Sequence, residues 1–150
     1  APRLAPEIER ISIDQPTGQD VIIPMLESSI PAGDRVPIYE DLATSFNVTQ
    51  YYRNCFTMRV KGDSMMDAGI CDGDRVVIKR THRFRDGDVI AAVVDGEMTL
   101  KGVWKRDGRI YLVPANPKYR VVEIAEESEF QCLGVCVDTF RPPKRVEWRE

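Results

Sequence analysis

"DGDRVVIKRTHRFRDGDVIAAVVDGEMTLKGVWKRDGRIYLVPA", residues 72–115, decides the fold class. Asp-Gly pairs at 72–73, 86–87, 95–96 and 107–108 punctuate runs rich in Val, Ile and aromatic residues. Such pairs favour tight turns, because glycine, and less readily aspartate, accepts a positive φ. Short β-branched runs at regular spacing between turns predict an all-β sandwich or partly closed barrel. Outward from this stretch, "DVIIPML", "CFTMRV", "RVVEI" and "FQCLGVCVDTF" continue the pattern on both sides. Only "IYEDLATSF" (38–46) and "SMMDAGI" (64–70) read as short helices. Residues 33–57 lack sustained periodicity and read as a long excursion, a kind of segment that tends to be functional. Residues 1–20, with three prolines and scattered charge, read as a linker or flexible arm. The expectation is one mainly β domain over residues 21–150 behind that arm.

Composition narrows the class. The chain has 150 residues, 43% hydrophobic and 30% charged, which fits a globular domain and excludes a disordered one. The formal net charge is −3 with both signs interspersed, so nucleic-acid binding by this chain alone is not expected. "RPPKRVEWRE" (141–150) is locally basic, but Glu147 and Glu150 offset it, and it reads as a solvated tail. No apolar run approaches the roughly 20 residues of a membrane span. The first residues lack the apolar core of a signal peptide, and a cytoplasmic protein with no membrane contact is expected. Cys55, Cys71, Cys132 and Cys136 lie in apolar stretches and read as buried, reduced thiols. Their spacing suits neither a disulfide framework nor a zinc site, so no metal or cofactor is expected.

The chemistry begins at "RVKGDSMMDAGICDGD" (59–74), which holds Ser64 and no histidine. Serine is a poor nucleophile at neutral pH and needs a base beside it. The sole histidine, His82, sits in the charged turn "KRTHRFRDG" and reads as a solvated loop imidazole. A cysteine nucleophile would lack a partner for the same reason. Lysine is the remaining base. Lys101 lies mid-strand in "EMTLKGVW", where period-two alternation puts Thr99, Lys101 and Val103 on one face. Burial there would lower its pKa and make it a general base. Alternatively the side chain snorkels to water from an edge strand. The pattern alone leaves both readings open.

At this point the residues resemble a family. "VKGDSMMDAGICDGDRVVIK" followed by "DGDVIAAVVDGEMTLKGV" is similar to the catalytic core of the LexA/UmuD self-cleaving proteins. Gly62, Ser64, Met65, Asp67, Gly69, Ile70, Asp72, Gly73 and Asp74 match its first motif. Gly96, Glu97, Thr99 and Lys101 match the second, and the Ser64–Lys101 interval of 37 residues (101 minus 64) is that of the family. "LVPANPKYRVVEI" (112–124) is similar to a later strand pair, so the likeness covers about residues 21–138, with the catalytic core at about 55–138. It implies a fold like the LexA C-terminal domain, with twisted sheets or a partly closed barrel and one or two short helices. It implies Ser64 as nucleophile and Lys101 as general base. The backbone amides of Asp63 and Ser64 are then the expected oxyanion donors. It also implies a substrate within the chain: "IIPMLESSIPAGDRVP" resembles the family's cleavage-site approach, placing the scissile bond at Ala32–Gly33 in a region of about 28–37.

The implied partners are the RecA-DNA filament formed after DNA damage, which stimulates the cut, and a second copy in a homodimer. Two roles are open within the family. In a LexA-like repressor, DNA is bound through a separate N-terminal domain absent from these residues. In a UmuD-like protein, the trimmed form serves an error-prone polymerase. "ERISIDQPTGQDVIIPML" looks like the end of a winged DNA-binding domain plus a linker, which leans toward the repressor. A signal-peptidase-like enzyme shares a Gly-Asp-Ser-Met motif and a Ser/Lys dyad but would need a membrane anchor. A non-enzymatic dimerisation domain would not need both Ser64 and Lys101.

Overall fold

Among the described residues (18–26, 32–33 and 43–150), the computed structural model contains nine strands and one short α-helix. They are β1 (Ile22–Leu26), β2 (Ala43–Asn47), α1 (Val48–Tyr51), β3 (Cys55–Arg59), β4 (Arg75–Arg80), β5 (Val89–Val94), β6 (Glu97–Arg106), β7 (Arg109–Val113), β8 (Val122–Glu123) and β9 (Phe130–Phe140). The strands from β3 on, and β1, follow the apolar runs of the sequence. The flexible arm expected over residues 1–20 lies outside the described residues up to position 17.

The chain divides into two compact units, one of them Asp14–Arg53 and the other including Asn54–Glu150. In the first, β1 and β2 pair antiparallel, with Ile22 opposite Asn47 and Leu26 opposite Ala43. The Asn47 side chain caps α1 by accepting from the Gln50 amide at 2.8 Å. This corrects the expected helix over "IYEDLATSF": its described part, 43–46, is strand, and the helix starts at Val48. Pairing to the β-prone β1 outweighs the helix propensity of that segment, which is worth only tenths of a kcal/mol per residue. The "excursion" over 33–57 therefore holds β2, α1 and the start of β3.

The second unit is one antiparallel sheet in the order β3-β4-β9-β5-β6-β7-β8. Two Asp-Gly pairs close its hairpins. Asp95 (φ 49°) and Gly96 (φ 84°) join β5 to β6, and Asp107 (φ 52°) and Gly108 (φ 77°) join β6 to β7. Positive φ at both central positions is the type I′ turn, whose twist matches the flanking strands. β9 enters between β4 and β5, with register shifts opposite Val77/Ile78 and Ala91/Ala92. The sheet is open, with β3 and β8 at its edges, so mainly β holds while barrel closure does not.

Both faces are covered. β5 is buried at Ile90, Ala91, Ala92 and Val93, a continuous apolar run rather than an alternation. Ala91 and Val93 pack with Met65, Ile70, Val76 and Ile78 on one side. Ile90 and Ala92 pack with Val103, Leu112, Ile124 and Phe130 on the other. The expected second helix is a single 3-10 turn, Met66–Ala68, lying between the buried Met65 and Ile70. None of the four cysteines is bridged, and only Cys132 is buried; Cys55, Cys71 and Cys136 are half-buried. Burial pushes the Cys132 thiol up to about 11. No helix among the described residues is long and apolar enough to cross a membrane.

Candidate active site

Ser64 lies on the connection between β3 and β4, and local chemistry explains why that connection is a fixed turn. Val60 and Gly73 close it at its base: the Val60 amide donates to the Asp74 carbonyl and the Gly73 amide to the Val60 carbonyl, both at 2.8 Å. Gly62 adopts φ 96° and donates its amide to Asp72 Oδ1 at 2.6 Å. A side chain is strained at that φ, so glycine is the residue that fits there. Asp74 is 2% exposed; its Oδ2 accepts the Cys71 amide at 2.8 Å and faces the Arg141 guanidinium at 3.6 Å. The two adjacent methionines divide their labour. Met65 is buried against Val76 and Ala91, while Met66 is exposed. Burying a side chain of that size is worth about 2–3 kcal/mol, which anchors the residue next to Ser64.

A second loop, 114–119 between β7 and β8, clamps the same turn. The Ala115 amide donates to the Ser64 carbonyl at 2.8 Å, and the Asp67 amide returns to the Ala115 carbonyl at 2.8 Å. Asn116, 7% exposed, donates from Nδ2 to the Asp63 carbonyl at 2.8 Å and accepts the Lys118 amide at 3.0 Å. The Tyr119 hydroxyl donates to Asp63 Oδ1, and Lys118 Nζ stands 3.7 Å from Asp63 Oδ2. The Tyr119 bond first, then the Lys118 charge, hold the Asp63 carboxyl below the usual carboxylate range. The carbonyls of Asp63 and Ser64 are thus engaged; the Asp63 amide is turned to its own carboxylate, while the Ser64 amide has no partner among the described residues. Asn116, Ala115 and Tyr119 were not singled out in the sequence. Their partners on the Ser64 turn lie 48 to 56 positions away (115 minus 67, 119 minus 63), and no periodicity marks them.

Lys101 arrives from β6, opposite Ile90 on β5. The predicted face holds: Val103 is fully buried, and Thr99 and Lys101 are half-buried. Burial lowers the Lys101 pKa from its ordinary 10.5. Its Nζ donates to Thr99 Oγ1 at 3.0 Å and to the Leu100 carbonyl at 3.2 Å, and no carboxylate pairs with it among the described residues. Ser64 and Lys101 line one cleft of about 270 Å³, whose apolar wall includes Met58, Val60, Met65 and Leu100. Their side chains are not hydrogen-bonded to each other here. β6 pairs with β7 only from Gly102 onward, so along Met98–Lys101, which lines the cleft, its outer edge has no described strand beside it.

His82 stands apart from the cleft. Its Nδ1 meets the Cys132 carbonyl at 2.9 Å and Gln131 Nε2 at 2.6 Å, and the residue is exposed. Ala32 and Gly33 form an exposed bend within the connection, residues 27–42, that joins β1 to β2. The rest of that connection lies outside the described residues. Ser64 and a partly desolvated Lys101 on one largely apolar cleft are residue types from which acyl transfer can be built without histidine or metal ligands.

The chain is similar to several known proteins. A LexA repressor of Desulfatibacillum aliphaticivorans is 37% identical over 131 residues, 84% of this chain and 64% of that protein. One of Pseudarthrobacter chlorophenolicus is 36% identical over 121 residues, 79% of this chain and 49% of that protein. One of Clostridium novyi is 31% identical over 125 residues, 81% and 60% of the two chains. The chain therefore spans about half to just under two thirds of these relatives' lengths. The Peptidase S24-like family model matches residues 24–137, from β1 through the Ser64 turn and β6 into β9. With Ser64, Lys101 and nearly all of the sheet inside that match, this chain belongs to the Peptidase S24-like family.

Proposed function

We propose that this chain is the self-cleaving part of a LexA-like repressor, a serine endopeptidase whose substrate is its own Ala32–Gly33 bond. The observation that carries the reading is the shared cleft, in which Ser64 meets a lysine without a carboxylate partner among the described residues. Neutral Lys101 takes the proton as Ser64 Oγ attacks the Ala32 carbonyl. The amides of Asp63 and Ser64 receive the oxyanion. The Lys101 ammonium returns the proton to the Gly33 nitrogen as the peptide bond breaks, leaving an ester on Ser64. Lys101 then deprotonates a water that hydrolyses the ester and restores both side chains. The open edge of β6 suits an extended substrate segment, which would add there as a strand.

Because the substrate is tethered, its effective concentration is high, and restraint must lie in conformation. In the resting geometry Lys101 donates to Thr99 and Leu100 rather than Ser64. A RecA-DNA filament that binds the docked state would shift the population toward cutting in the DNA-damage (SOS) response. In this reading the protein is cytoplasmic and homodimeric, and a separate N-terminal domain recognises the operator. The names of the relatives favour the repressor over a UmuD-like polymerase subunit.

The test is incubation at alkaline pH followed by intact-mass measurement. Fragments ending at Ala32 and beginning at Gly33 are expected, and none from Ser64→Ala. Undiminished cleavage in Ser64→Ala, or an intact wild type at high pH, would sink the reading.

A further inference from the structure

At the base of the Ser64 turn, the pairing of β3, β4 and β9 gathers positive charge that the sequence scatters. Arg59 on β3 stands directly opposite Arg75 on β4, and Arg75 in turn stands opposite Phe140 on β9. Like charges in such positions destabilise a sheet unless an anion sits between them. Arg141 follows Phe140, and the three arginines line a cavity of about 420 Å³ with Gly73, Phe140 and Pro142. One carboxylate reaches this group: Asp74 Oδ2 faces Arg141 at 3.6 Å. Arg59 donates only to the Gly73 carbonyl, at 3.4 Å, and Arg75 forms no ion pair among the described residues.

The charge continues beyond the cavity. Pro142 and Pro143 stiffen the chain, and Lys144, Arg145 and Arg149 follow, all exposed. Trp148 among them is 86% exposed. The cavity and this segment together carry six cations against Asp74, Glu147 and Glu150. A compact anion would satisfy the cavity but not the cations past the prolines, which call for an extended polyanion. Guanidinium forks match phosphate oxygens, and an exposed indole offers a stacking surface for a base.

We propose that the Arg59–Arg75–Arg141 cavity and the segment after it bind the phosphodiester backbone of a nucleic acid, independently of base sequence. This contact is additional to any operator recognition by another domain, and it does not depend on the peptidase reading. The solvated tail expected from the sequence becomes one arm of a site that only the strand pairing completes.

The experiment uses the full chain carrying Ser64→Ala, so that self-cleavage cannot interfere. Binding of a labelled oligothymidylate of roughly 20 nucleotides is followed by anisotropy across a salt series, with tryptophan emission read in parallel. The expected result is salt-sensitive binding with quenched emission, the quenching lost in Trp148→Phe. Arg59→Gln/Arg75→Gln weakens binding at least tenfold at low salt and lowers the salt slope by about 1.4, at ~0.7 per phosphate contact on a single strand. Both arginines are exposed, and an unchanged melting curve confirms that the variant is folded. No binding at low salt, or equal binding by the double variant, overturns the proposal. So does displacement by inorganic phosphate at micromolar concentration, which marks a free-phosphate site. Displacement by polyglutamate as readily as by unlabelled oligothymidylate marks an acidic-peptide site and overturns it too.

Discussion

Replacing Asn116 with alanine separates the scaffold of the Ser64 turn from its chemistry. The side chain is 7% exposed and makes two bonds, to the Asp63 carbonyl at 2.8 Å and from the Lys118 amide at 3.0 Å. Each contributes about 1 kcal/mol net, so the loss is about 2 kcal/mol. A domain with roughly 5–15 kcal/mol of stability stays folded under that loss, so the folded fraction scarcely changes. The turn keeps its Met65 anchor and its Ala115 bond but loses the tie at Asp63, immediately before Ser64. A misplacement of about 1 Å costs on the order of 100-fold in rate. Self-cleavage of Asn116→Ala should therefore fall about 10- to 100-fold at pH values where Lys101 is neutral. The midpoint of its pH profile should not move, because the surroundings of Lys101 are untouched. First-order rates from gel or mass time courses, alongside thermal melts, measure both quantities. A wild-type rate in a folded variant, or a displaced midpoint, refutes the idea that Asn116 positions Ser64.

Three further outcomes follow from the structure. Cleavage should rise with pH to a plateau with its midpoint below 10.5, the ordinary lysine value, because burial lowers the Lys101 pKa; a midpoint at or above it contradicts that placement. Folded Lys101 binds fewer protons than the unfolded chain between its lowered pKa and 10.5, so its contribution to stability rises with pH across that window. Lys101→Met should accordingly abolish cleavage yet stabilise the fold by about 0.5–2 kcal/mol near neutrality, a gap that narrows in alkaline melts. Gly134→Ala should destabilise by about 3 kcal/mol, since a Cβ there runs into the Lys79 carbonyl oxygen and comes within 2.6 Å of Ile78 Cγ2. A melting temperature close to wild type would show that β4 and β9 can spread.

What the sequence discloses depends on whether its physics is local. The Asp-Gly turns and the β-branched runs between them are local, and β3 to β9 emerge where those runs lie. β2 escapes because "ATSF" has no β signal of its own and becomes strand only by pairing with β1. Ser64 and Lys101 are legible through their motifs, but not their side chains' separate hydrogen bonding at rest. The Asn116, Ala115 and Tyr119 clamp is the least legible part. It joins positions 48 to 56 apart, (115 minus 67) to (119 minus 63), through single bonds that leave no pattern in either segment. Arg59 and Arg75 are similarly ordinary charged residues until the register sets them side by side.

The place of β9 in the sheet has a consequence for biosynthesis. β3 and β4 flank the Ser64 turn, β5 and β6 deliver Lys101, and β9 alone joins the two pairs. It is also later in the chain than every other described strand. While a ribosome is still making residues before 130, the two hairpins share no strand edge, and only contacts such as the 114–119 loop against the Ser64 turn can tie them together. The sheet can be welded only after residue 140 has left the exit tunnel. If the proposed self-cleavage holds, a message truncated ahead of β9 should yield a product that does not cut itself.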